Sequence, residues 1–189
     1  MGKIPFDSKP KTLPKYLTKE EISNILDLAK KDRYRNYILL LAMWRTGMRV
    51  SEIVKLKKQD IKNEVIEVKG KGGKDRIIPL ESELSNILGL FVDRLKPRGK
   101  LYPMSMRQVR NIVYKYSPYH IMERKGKQFR VYDVHPHTFR HSFAVHCLKG
   151  GMNIRALQKI LGHSNLATTA IYLDVIGKDI IDDFKKVEW

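Results

Sequence analysis

The chain has 189 residues, 42% of them hydrophobic, which suits one domain with a real core, or one domain plus a short arm, and excludes a disordered chain. With 37 Lys and Arg against 20 Asp and Glu the net charge is +17, which points to a polyanionic partner: nucleic acid first, an anionic membrane surface second. The longest apolar run, residues 37–44, is too short to cross a bilayer, no N-terminal signal peptide is visible, and Cys147, the single cysteine, excludes an intramolecular disulfide and fits a reducing compartment.

Residues 1–15 carry Pro5, Pro10 and Pro14 among several lysines and read as a basic arm or the remnant of a linker, with the folded domain over residues 16–189. Thr18 and Glu21 form a capping-box pair, followed by Ile22, Ile25, Leu26 and Ala29 at helical spacing. A second helix over residues 34–46 is apolar nearly all round in its middle, so it belongs in the core, and Gly47 can end it. A third begins near Arg49. Residues 65–68 and 76–80 read as two strands joined by a glycine-rich connection, a β-hairpin on a helical body. Helices are expected near 81–95 and 105–116. Residues 117–134 read as irregular and basic, with a short strand at 129–132. Pro136 opens the next helix and Gly150-Gly151 ends it. Asn153 caps another, bearing Ile154, Leu157 and Leu161 and stopped by Gly162. Tyr172 falls on the helix after that. The tail puts Ile180, Ile181 and Phe184 on one apolar face. The fold class is α+β, mainly α, with a small antiparallel hairpin or sheet at one edge.

Several residues stand out chemically. His137 and Arg140, at i and i+3, share a helix face; Arg140 can grip a phosphate with two parallel hydrogen bonds, and His137 can take or give a proton near neutral pH. Arg49 follows a glycine turn at a helix start, where it can reach an anion, and Glu52 can hold its guanidinium. Lys71 sits among Gly70, Gly72 and Gly73 at the hairpin tip, although Lys69, Lys74 and Arg76 offer the same charge nearby. His163 directly follows the Gly162 helix stop, and Tyr172 lies nine residues further on. Taken singly, each of these also reads as a surface ion pair, a cap or an amphipathic aromatic.

Together, the blocks 46–56, 70–80, 135–146 and 161–175 resemble the tyrosine recombinase (phage integrase) family, in an Xer-like catalytic domain, from about Tyr16 to the C-terminus. The resemblance implies that Tyr172 attacks a DNA phosphorus and leaves a 3′-phosphotyrosyl link. A phenol has a pKa of about 10, so it needs a base, implied to be His137. Arg49 and Arg140 would clamp the non-bridging oxygens, His163 would donate a further hydrogen bond, Lys71 would protonate the departing 5′-oxygen, and Glu52 would position Arg49. The covalent link stores the bond energy, so neither ATP, metal nor another cofactor is required. The implied partner is double-stranded DNA, bound by a homo-oligomer (a dimer or tetramer), and the implied location is cytoplasmic and DNA-associated. Lys74, Arg76, Arg124, Lys125, Lys127 and Arg130 are candidate backbone contacts. Residues 176–189 form a tail suited to docking in trans. The small helical DNA-binding domain that usually precedes such a catalytic domain is not recognisable.

Three other readings compete. A type IB topoisomerase uses similar groups to relax DNA. A basic helical regulator would bind DNA without any chemistry. His135, His137 and His141 fall at a metal-ligand spacing, but Arg140 beside them would repel a cation.

Overall fold

The computed structural model describes residues 14–62, 64–70, 75–96, 98–124 and 127–173. Helix α1 (Lys19–Asp32) starts on Thr18, whose side chain accepts from the Glu21 backbone N–H while Glu21 bonds back to Thr18 N–H, the reciprocal cap its sequence anticipates. Its buried stripe of Ile22, Ile25, Leu26 and Ala29 lies on α2 (Tyr34–Thr46). Residues 38–43 of α2 are all buried, so this helix is the axis of the core, contacted by α1, α4 (Ser82–Val92) and α6 (Pro136–Lys149). Gly47 ends α2 in the left-handed conformation (φ 60°), and an added Cβ there would collide with the Phe143 ring of α6. Helix α3 (Val50–Ile53) is a single turn, followed by a 3₁₀ turn at Lys58–Asp60.

The expected hairpin is the larger part of a three-stranded antiparallel sheet, in the order β1 (Ile61–Lys62), β2 (Val65–Val68), β3 (Arg76–Pro79). Ile66, Val68 and Ile78 are its buried side chains. Helix α5 (Met106–Tyr116) closes the main core through Val109, Val113 and Tyr116.

Residues 117–134 are more regular than expected: the short strand read at 129–132 is there, as part of a longer one, and it has a partner. They form a regular two-stranded ribbon, β4 (Tyr119–Arg124) against β5 (Lys127–Tyr132), in register from Tyr119 opposite Tyr132 to Arg124 opposite Lys127. Tyr119, Ile121, Met122 and Phe129 are all about half exposed, so neither face of the ribbon is buried by the core. The ribbon's base is fixed where Tyr132 stacks on Tyr114 of α5, ring centroids 4.3 Å apart, while the Tyr114 hydroxyl bonds His135 Nδ1 at 3.0 Å.

A second apolar cluster joins α6, α7 (Ile154–Leu161) and the turn after α8 (Ala167–Ala170) through Ala144, Val145, Leu157, Leu161 and Tyr172. The segment leading to α1 is tied to this part: Leu17 N–H donates to Ser142 Oγ, and Leu17 carbonyl meets His146 Nε2. No helix among the described residues is long and apolar enough to cross a membrane.

Candidate functional site

Helix α6 carries the site. Pro136 occupies its first turn, where a missing N–H costs nothing, and His135 precedes it with its N–H bonded to Thr138 Oγ1. Positions 137, 140 and 141 lie on one side of the helix but differ in depth: His137 is exposed, Arg140 is buried (4% exposed) and His141 is half-buried.

A guanidinium cannot readily shed its charge, so burying one demands hydrogen-bond partners. Arg140 meets that demand with the free carbonyls of two helix ends. Its Nη1 donates to the Gly47 carbonyl at the end of α2, and its Nη2 donates to the Leu161 carbonyl at the end of α7, each at 2.7 Å. Nη2 also donates to His163 Nε2 at 2.9 Å. Burial first, then Arg49, pulls the Arg140 pKa down to about 10, which leaves it charged at neutral pH. Among the described residues its Nε–H and one Nη1–H have no protein partner and can meet an incoming anion.

His163 follows Gly162, the left-handed cap of α7 (φ 66°). Its Nε2 accepts from Arg140, so its proton sits on Nδ1, which donates to Thr169 Oγ1 at 2.9 Å. Burial, then Arg140, Arg49 and Arg76, lowers its pKa to about 4. The ring is neutral, and in the free protein it orients Arg140 rather than presenting an Nε2 proton, a difference from the expected donor.

Arg49 precedes α3, and Glu52 one turn on accepts from both its backbone N–H (2.7 Å) and its Nη1 (3.2 Å). The Arg49 side chain stays 38% exposed, held yet accessible. Burial works to raise the Glu52 pKa, but hydrogen bonds from Arg76 and the Arg49 N–H outweigh it and hold the carboxylate low.

Arg76 requires a correction. The sequence offers it as a DNA-backbone contact, but its side chain is only 10% exposed and already committed. Nη1 and Nη2 bond the two Glu52 oxygens at 2.9 and 2.8 Å, and Nε donates to the Ile160 carbonyl at 2.7 Å. Its Cδ would lie 3.0 Å from a Cβ at position 162, so the glycine there also makes room for it. Arg76 therefore ties β3 to both Glu52 and the end of α7.

Tyr172 is 2% exposed. It was expected on the helix after α7 and sits two residues past the end of α8, in a turn, with its N–H on the Thr169 carbonyl. Its hydroxyl bonds His141 Nδ1 at 2.8 Å. Burial raises the phenol pKa and Arg140 opposes that rise, which places the hydroxyl within the guanidinium's field. His137 packs its ring 6.4 Å from that of His141. Sequence reasoning gave His141 no role beyond a metal spacing, although its i+4 offset from His137 put it on the same helix face. Instead, the Tyr114 and Tyr172 hydroxyls engage ring nitrogens of His135 and His141.

Arg49, Glu52, Arg140, His163 and Tyr172 thus converge, beside an exposed His137. Lys127 and Arg130 are exposed on the ribbon. Lys71, Lys74, Lys125 and the Arg124 side chain lie outside the described residues, as does the 176–189 tail.

The same arrangement of elements occurs in known proteins. The chain is 38% identical to the tyrosine recombinase XerA of Pyrococcus furiosus (strain ATCC 43587 / DSM 3638 / JCM 8422 / Vc1) over 175 residues, 90% of this chain and 61% of that protein. It superposes on a crystal structure of XerA recombinase with a TM-score of 0.73 and 26% identity, covering 96% of this chain and 67% of that one. Against the Tn1549 transposon integrase in complex with circular intermediate DNA, the TM-score is 0.64 and the identity 25%, over 88% of this chain and 63% of that one. The chain spans about three fifths of the length of the curated relatives it matches. The phage integrase family matches residues 15–177, a span that holds every site residue described above, and the chain belongs to that family.

Proposed function

We propose that this chain is the catalytic domain of a site-specific DNA recombinase or integrase, which cleaves and rejoins strands through a 3′-phosphotyrosyl intermediate. The observation that carries this reading is Arg140, a buried, charged guanidinium held between the ends of α2 and α7, with donors uncommitted among the described residues and a tyrosine hydroxyl within its field. Among the described residues its Nε–H has no protein partner, and the nearby Arg49 charge lowers the Arg140 pKa, an arrangement that an anion between the two would relieve.

In this reading the substrate is double-stranded DNA. A phosphate settles against Arg49 and Arg140, which neutralise its non-bridging oxygens and the charge that grows on them. The anion favours the protonated form of His163, whose Nε2–H then becomes a further donor. Tyr172 Oη attacks phosphorus in line and gives its proton to a base, His137 by the resemblance, the P–O5′ bond breaks, and Lys71 gives the departing 5′-oxygen its proton. His137 is exposed on the same helix as Arg140, open to the incoming strand. Glu52 keeps Arg49 in place. A second 5′-hydroxyl reverses the step and exchanges the strand. The energy of the broken bond is kept in the phosphotyrosine, so ATP is not consumed. Lys74, Arg124, Lys125, Lys127 and Arg130 supply backbone contacts, and the active form on DNA is a homo-oligomer.

The test is incubation with nicked duplexes that trap the cleaved state. The protein should form a denaturation-resistant adduct, and Tyr172→Phe should abolish it while retaining DNA binding. An unaltered protein that binds every such duplex and forms no adduct would indicate a regulator instead. Relaxation of any supercoiled plasmid, without site preference, would indicate a topoisomerase.

A further inference from the structure

The hydroxyl of Tyr172 has a hydrogen-bond partner, and it is not the histidine that sequence pattern assigns to it. His141 Nδ1 lies 2.8 Å from Tyr172 Oη, with the rings at 54° and centroids 5.7 Å apart. We infer that His141 is a further catalytic residue, the base that takes the phenolic proton of Tyr172 as its oxygen attacks phosphorus and returns it when the link is resolved. This rests on the phosphotyrosine reading above and moves its first proton transfer from His137 to His141.

The geometry favours it on several counts. The phenol carries the only hydrogen of the pair that can lie between the two atoms when the imidazole is neutral with its own proton on Nε2, so Nδ1 is the acceptor. His141 is kept neutral: burial lowers its pKa, and His137 and Arg140 on the same helix add to that. His163 and Tyr172 are the other titratable groups that face it among the described residues. At rest the proton belongs on the phenol, because burial holds the Tyr172 pKa above its ordinary value. As the Oη–P bond forms, the phenolic oxygen loses its hold on the proton and the transfer becomes downhill. The step balances: the Oη–H bond breaks and Nδ1–H forms, Oη–P forms and P–O5′ breaks, and Lys71 protonates O5′. The negative charge gathering on the phosphate then faces the new imidazolium. His137, exposed and packed against His141, is free to bond a phosphate oxygen.

The experiment is single-turnover cleavage of a nicked trapping duplex across roughly pH 5 to 9. His141→Asn keeps an acceptor near the Nδ1 position but cannot take the proton. We expect cleavage about 100-fold slower or worse at neutral pH, with a rate that keeps climbing with pH where the unaltered protein levels off. Replacing the leaving 5′-oxygen by sulfur, which departs without a proton, should rescue Lys71→Ala and not His141→Asn. His141→Ala should regain rate with added imidazole, which covers the case in which the asparagine perturbs folding. His141→Asn with unchanged rate and pH profile would reduce the residue to a positioning role and overturn the inference. A faster His141→Leu would show that the contact restrains Tyr172 and would overturn it equally. Absence of any adduct from the unaltered protein would remove the underlying reading as well, which separates the two failures.

Discussion

Arg140 and His163 show how a family motif becomes a physical site. The sequence places both among the phosphate ligands, but their mutual bond and their use of helix-end carbonyls depend on α2, α6 and α7 meeting, which no local pattern contains. The pairing has a pH consequence. The His163 pKa is about 4 in the folded chain against an ordinary value of 6.5. The unfolded chain therefore binds more protons between those values, and folding stability falls as pH drops from 6.5 towards 4. His141, shifted the same way, adds to the fall. Thermal unfolding followed by circular dichroism should show a melting temperature that declines through this window. His163→Asn, which keeps polar atoms but does not titrate, should flatten the decline. Parallel declines in the two proteins would count against the buried neutral ring.

At the scale of elements, the helical body and the β2–β3 hairpin were legible because their signals are local: a capping box at Thr18, glycine stops at 47 and 162, and a Pro136 start. Of the β4–β5 ribbon only the 129–132 part of β5 was legible; β4, exposed on both faces, has no burial period, and Tyr119 and Ile121 were its remaining cue. Two-residue β1 is too short to show any period. Arg76 was misread for a related reason: charge is visible in sequence, whereas commitment to Glu52 and to the Ile160 carbonyl is tertiary. Lysine cannot reproduce that fork. Arg76→Lys should cost about 1–3 kcal/mol in urea unfolding and slow cleavage by roughly tenfold or more as Glu52 releases Arg49. The salt dependence of DNA binding should stay unchanged, whereas loss of a true phosphate contact would reduce the slope by about 1.

For the molecule as a whole, the charge of +17 and the exposed Lys127 and Arg130 of the β4–β5 ribbon suit a long polyanionic partner. The spacing of Ile180, Ile181 and Phe184 in the sequence predicts an apolar face, which we propose docks on a neighbouring copy. Deleting residues 176–189 should leave strand cleavage intact and weaken assembly on DNA, read by gel shift and light scattering. Unchanged assembly would contradict the docking role. The central claim concerns one atom, the phenolic oxygen of Tyr172. Its most direct measurement is mass spectrometry of the trapped protein–DNA adduct after digestion with trypsin and nuclease. Residues 160–178 form one tryptic peptide in which Tyr172 is the sole tyrosine. The account predicts a nucleotide on that peptide, attached through a 3′-phosphate to Tyr172. A nucleotide on any other residue would contradict it.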